Sequence, residues 1–235
     1  MTVPDPPPYL SPHSREKILR IALLVLAAAA VVAALAAFER LRFAGEAIRI
    51  GAVTPDRLDR VASHWTVAEF LVAVTAVVAA VAWLAWFARV YGNLPALGAR
   101  WTTVSRFNGV FCCALPVLNL FMAPKLWLES WRASEFDSGP GDDAGRRIAP
   151  GRPTALLLAW PSIGLLTLVL ALLGQRKTDR ALDYLDPVRS AAPLQILAAI
   201  GLLVSAVITL RLARALTTRQ EACAARRGDA VEDPS

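Results

Sequence analysis

Residues 190–210 read SAAPLQILAAIGLLVSAVITL and residues 154–174 read TALLLAWPSIGLLTLVLALLG, two runs of twenty-one residues without a charged side chain. A helix of about twenty apolar residues crosses the hydrocarbon core of a bilayer, where a charge is costly. Both stretches therefore read as membrane-spanning helices. Two further uncharged runs, Ile21 to Phe38 and Phe70 to Phe87, are each about eighteen residues long and read the same way.

The flanks of these runs carry the marks of an interface. Arg15, Lys17 and Arg20 precede the first run, and Glu39, Arg40 and Arg42 follow it. Trp83, Trp86 and Phe87 close the second run ahead of Arg89 and Tyr91, the composition expected where a helix end meets lipid headgroups. The first run exceeds the apolar length of a signal peptide and follows a long polar arm, so it reads as a retained anchor. The chain as a whole is 56% hydrophobic with a mean hydropathy of +0.47, yet 19% of its residues are charged. Its apolar residues must therefore be gathered in blocks. The net charge of +6 falls between the blocks, which points to anionic headgroups of a lipid bilayer as partner and not to nucleic acid. Arginine far outnumbers lysine among the basic residues, and with abundant Ala, Gly and Pro this suits a high-GC bacterium, placing the protein in the inner membrane.

Residues 1–16, with Pro4, Pro6, Pro7, Pro8 and Pro12, read as a disordered Pro-rich arm. Residues 17–214 form the multi-pass domain, and 215–235 read as a disordered polar tail. Between the first two spans, Thr54-Pro55-Asp56 has the chemistry of a helix N-cap, Pro at the first helical position and an acid in the first turn. Leu58, Val61 and Trp65 then share a face, predicting a short interfacial helix that leads into the second span. A similar brief helix is expected around Thr178, Asp179, Leu182, Tyr184 and Leu185.

The segment from Phe107 to Pro124 is uncharged but holds Asn108, Gly109, Pro116, Asn119 and Pro124. Amides and a mid-segment proline are costly in hydrocarbon unless other helices cover them. The expected fold class is thus an all-α integral membrane protein with four transmembrane helices plus a central re-entrant, interfacial or fifth spanning helix. Asn119 is expected to face the bundle, with Trp131 and Arg132 marking the return to the headgroups. Lys125 and Glu129, four apart beside Trp127 and Trp131, read as an exposed ion pair on an interfacial helix.

Trp86 with Arg89, Asn93, Leu97-Gly98, Pro116 with Asn119, Pro124 and Trp131-Arg132-Ala133-Ser134 follow one another in an order that resembles the bacterial membrane family called domain of unknown function 4328. The resemblance runs from Trp83 to Ser134. Cys113 stands where that family tends to carry a Trp, and Pro124 comes one place later after Asn119. What the resemblance implies is a multi-pass topology without an assigned activity.

The residues singled out for a structural or functional role are Arg89, Asn93, Pro116, Asn119, Pro124, Trp131 and Ser134. Arg89 and Asn93, four apart, suit a lipid phosphate or a dock for the central segment. A helix broken at Pro116 to Asn119 frees carbonyls that can line a polar path. Gly164, and Gly201 with Ser205, read as points of close helix approach. Cys112 and Cys113 are adjacent and lack metal-ligand spacing, and Cys223 is remote from both. The histidines are His13 and His64, outside the spans. No catalytic, cofactor or metal site is assigned, and the expectation is a non-enzymatic scaffold or accessory subunit with protein partners in the membrane or cytoplasm, the alternative being a small permease or channel.

With four crossings, the side holding both ends carries 16 basic residues against 9 on the other. The positive-inside rule then puts both ends in the cytoplasm. Reporter fusions at the two ends should both report a cytoplasmic location; opposite locations would require an odd number of crossings.

Overall fold

The computed structural model describes residues 8–50, 54–99, 102–114, 116–134, 154–179 and 185–227. These form six helices and, among the described residues, no strand: α1 His13–Ile50, α2 Pro55–Gly92, α3 Arg106–Ala114, α4 Pro116–Ala133, α5 Thr154–Asp179 and α6 Leu185–Arg227. Four of them, α1, α2, α5 and α6, are long and apolar enough to cross a membrane. The central segment is helical on both sides of residue 115, as α3 and α4.

α2 starts where its cap chemistry places it. The Thr54 carbonyl accepts from the N–H groups of Arg57 at 3.1 Å and Leu58 at 3.2 Å, and Pro55, lacking an N–H, occupies the first helical position. The separate interfacial helix expected before the second span is absent, because α2 runs unbroken through 38 residues. No breaker lies between Trp65 and Phe70, so nothing ends the first helical turns. The matching helix expected near Leu182 and Tyr184 lies outside the described residues.

The described parts of the two end segments, from Pro8 to Glu16 and from Ala215 to Arg227, are placed within the fold. Tyr9, Ser11 and Pro12 are buried and α1 begins directly at His13. α6 continues to Arg227, burying Leu212, Ala213, Leu216, Thr217, Gln220, Cys223 and Ala224. Those positions recur every three or four residues, the spacing of one helix face, and packing of that face overrides the polar composition. Residues 1–7 and 228–235 lie outside the described residues.

Contacts divide the chain into two compact units. One comprises Ile21–Ala79 and Ser162–Ile208. Its core is built on small residues: Ala36, Ala37 and Ala68 pack with Trp65, and Ala33 and Ile196 lie against them. Apolar burial has little driving force against lipid, so close backbone approach through small residues is what holds such helices together. The Arg40 guanidinium lies 4.7 Å from the Trp65 ring centroid and donates to Gln195 Oε1 at 3.4 Å. Glu46 accepts from Arg57 at 2.6 Å, and Glu39 lies 3.0 Å from His64. Large apolar side chains such as Leu35, Val77 and Leu166 face outward, as lipid requires.

The two glycine expectations divide. At Gly201 an added methyl would overlap the Thr167 side chain, whereas Gly164 has open space around it. Thr167 is β-branched and its hydroxyl is tied to the Ile163 carbonyl at 2.7 Å, so it does not turn away freely. Gly201→Ala should therefore lower stability in detergent by about 1–3 kcal/mol. Thr167→Ala should restore it, and Gly164→Ala should be tolerated; thermal unfolding of the four proteins compares them. Equal midpoints for the two glycine variants would show that α5 and α6 do not meet at Gly201.

Candidate functional site

The second unit gathers α1 to Arg20, Ala80–Pro161 and α6 from Thr209, and every residue of the family-like motif that the structure describes lies in it. Its centre is aromatic. Trp83, Trp86, Phe87 and Tyr91 of α2 share one helix face and meet Trp127 of α4 and Trp160 of α5. Ring centroids are 5.3 Å apart for Trp83 and Phe87, 5.3 Å for Trp86 and Trp127, and 6.0 Å for Trp127 and Trp160. Trp86, Phe87 and Trp127 are wholly buried. This corrects the reading of Trp83, Trp86 and Phe87 as a headgroup-level belt: the rings turn into the protein, where each large ring is covered and where two indoles find acceptors. Trp86 Nε1 donates to Thr217 Oγ1 at 3.1 Å and Trp160 Nε1 to Thr209 Oγ1 at 2.6 Å.

Past Gly92 the chain makes a tight turn. Leu97 N–H bonds the Asn93 carbonyl at 3.0 Å, and Ala99 N–H reaches back to Leu94 at 2.9 Å. Gly98 takes φ 80°, a left-handed conformation that costs a residue without a Cβ little. The turn holds Asn93 and Leu97 inward, 3% and 0% exposed. Asn93 Oδ1 accepts from Leu10 N–H at 3.3 Å while its Nδ2 donates to Leu10 O at 2.7 Å. Nδ2 also faces Gln220 Oε1 at 3.4 Å, and Gln220 Nε2 donates to Val90 O at 3.0 Å. Asn93 thus reads the main chain of the arm. It does not form, with Arg89, the lipid-phosphate pair expected from their spacing, because burial removes it from any headgroup.

On α4 the expected exposed ion pair is also corrected. Lys125 is exposed but Glu129 is 5% exposed. Glu129 Oε1 accepts from Thr103 N–H at 2.6 Å, and the single hydroxyl hydrogen of Tyr91 is shared between Glu129 Oε2 at 3.3 Å and Val104 O at 3.2 Å. Gly109 packs against the Tyr91 ring. Together these bonds fasten the 102–105 loop to α2 and α4. Trp131 is also buried, with the Arg219 guanidinium 4.2 Å from its ring centroid, while Arg132 is exposed. Ser134, 2% exposed, donates to the Ser130 carbonyl at 2.7 Å. Pro124 sits inside α4, and Pro116 opens it. The side chains of Pro116 and Asn119 lie outside the described residues, so the expected inward orientation of Asn119 is not addressed.

Burial raises the Tyr9 phenol above its ordinary range, and Glu221 and Cys223 push the same way. Among the described residues no three His, Cys, Asp or Glu side chains are grouped to hold a metal ion.

A family model described as Domain of unknown function (DUF4328) matches residues 49–218. The chain belongs to this family. No curated protein and no solved structure matches it. The DUF4328 region takes in α2 to most of α6, and with it the aromatic cluster, Asn93 and Glu129; Leu10 and Gln220 lie outside it. Sequence reasoning missed Gln220, Glu129 and Tyr91 as contributors. For Gln220 a signal exists, since the three-to-four spacing of Leu212, Leu216, Gln220 and Cys223 marks a buried helix face.

Glu129→Leu removes the acceptor for Thr103 and Tyr91 and should lower stability by about 1–3 kcal/mol. Glu129→Gln keeps a carbonyl for Thr103 and should retain most of it. Thermal unfolding in detergent, read by tryptophan fluorescence, compares them; equal loss would show that charge, not the bond to Thr103, is what Glu129 supplies.

Proposed function

We propose that this multi-pass DUF4328 protein is a non-enzymatic scaffold or accessory subunit of a bacterial inner membrane, working through protein partners in the membrane or cytoplasm. The observation that carries the reading is the use made of the polar groups around the end of α2. Asn93, Gln220, Glu129 and Ser134 are buried, and each is engaged in hydrogen bonds within the chain. Asn93, Gln220 and Glu129 tie separate segments together. Groups engaged in this way build a rigid platform, whereas catalysis and coupled transport need a group left to meet substrate or ion.

Surface chemistry supports a cytoplasmic face for the same unit. Lys17, Arg20, Lys125, Arg132, Arg211, Arg214 and Arg226 are exposed there, while Glu16 and Glu129 are buried. Exposed cations of this kind favour the anionic headgroups of the cytoplasmic leaflet. α5 is the least covered of the four long helices, which leaves Leu166 and Leu172 facing outward as contact positions for a membrane partner. A second reading, a small permease, is favoured by one feature: Pro116 and Asn119 lie in the uncharged central segment, and residues of this kind can free backbone groups to line an ion path.

Proteoliposomes loaded with a potassium- or proton-sensitive dye should leak no faster than protein-free vesicles. Photo-crosslinkers at Leu166 or Leu172 in cells should give a discrete adduct. Flux abolished by Asn119→Leu, with no adduct at either position, would replace the scaffold reading by the permease.

A further inference from the structure

The stretch Pro8 to Pro12 precedes α1 without helical structure, yet it is seated as a bound peptide would be. Both main-chain groups of Leu10 meet the carboxamide of Asn93, and Ser11 Oγ donates to Glu221 Oε1 at 3.0 Å. Tyr9 enters a pocket of Leu97, Cys223 and Ala224, with Ala96 beside it, and Pro12 is wholly buried. Main-chain bonds for affinity and side-chain pockets for selection are how extended peptides are recognised in trans.

The receptor side stands without the arm. Gln220 is anchored to Val90 and aligned on Asn93, and the turn from Asn93 to Ala99 closes on its own hydrogen bonds. The ligand side fits imperfectly. The Tyr9 hydroxyl is buried and, among the described residues, meets no hydrogen-bond partner. An unpaired buried hydroxyl is costly, so the pocket is shaped for an aromatic ring and penalises the hydroxyl upon it. The DUF4328 match includes Asn93 and Leu97, while the arm and the α6 residues Gln220, Cys223 and Ala224 lie outside it.

We propose that the groove between the end of α2 and the last turns of α6 is a peptide-recognition site for an extended proline-rich segment of a partner protein, with an aromatic residue followed by an aliphatic, a hydroxyl and a proline, and that the chain's own arm is its tethered, displaceable occupant. The run Pro6-Pro7-Pro8 ahead of Tyr9 suits such a ligand, since polyproline is already extended and loses little entropy on docking. A tethered arm competes at a high effective concentration, so a partner enters when the arm is loosened or when its own ring lacks the hydroxyl. The site is independent of the scaffold reading: a permease could carry it equally, and the liposome result does not bear on it.

The probe is a fluorescent peptide of residues 4–14, tested by anisotropy on the full chain in nanodiscs. Two full-length variants loosen the arm separately: Ser11→Glu sets a carboxylate against Glu221, and Tyr9→Ala empties the pocket. Hydrogen exchange at the Leu10 amide reports release. Both should bind the peptide saturably, wild type should bind it roughly tenfold more weakly, and a Tyr9→Phe peptide should bind more tightly than the parent. Asn93→Ala added to Ser11→Glu should abolish binding. No saturable binding by either loosened chain, equal binding of a scrambled peptide, or indifference to Asn93→Ala would each overturn the proposal and leave the groove as packing for the arm.

Discussion

A polar group away from water must find its partner inside the chain, and this requirement shapes the end of α2 more than any other. The carboxamide of Asn93 meets it by taking the N–H and C=O of Leu10 together while facing Gln220. Gln220 in turn rests on the Val90 carbonyl. Three segments far apart in sequence are joined by two amide side chains, and each amide fixes the orientation of the other. The left-handed Gly98 makes this arrangement reachable, because it lets the chain turn immediately after the helix and keep Asn93 inward.

The aromatic residues of α2 continue the same logic along the helix. Trp83, Phe87 and Tyr91 fall four residues apart and stack in succession, with Trp86 beside them against Trp127. Rings this large bury enough surface to pin α4 and α5 to α2, and Thr217 and Thr209 satisfy two of the indoles from α6. Glu129 completes the set by holding a loop N–H and the Tyr91 hydroxyl with one carboxylate. The other unit is built on alanines and glycines, with Gly201 against Thr167 and Gly174 against Gln195. Close backbone approach there does what ring packing does at the end of α2.

Part of this was open to reading from the residues. The Thr54-Pro55-Asp56 start of α2 and the four uncharged runs follow from chemistry local to a few residues: a missing N–H, a capping carbonyl, a bilayer of fixed thickness. The candidate site was half visible. Asn93, Trp131 and Ser134 stood out and are buried, but their partners Leu10, Arg219 and Ser130 were not foreseen. Proline content and charge describe a free chain, whereas Tyr9 to Pro12 and Leu216 to Ala224 lie against other parts of the fold.

What the sequence by itself determined is the number of long apolar helices and the start of α2, since each is fixed by length and by residues adjacent in the chain. Only the tertiary structure decided which way Trp86, Phe87, Glu129 and Asn93 face. In a soluble helix the apolar side announces the core. In a membrane helix lipid and protein interior are alike apolar, so Trp86 on α2 satisfies either, and periodicity carries no sign of which one it meets. That choice falls to the partners, a threonine hydroxyl at 217 or a main-chain pair at Leu10, which lie more than eighty residues away.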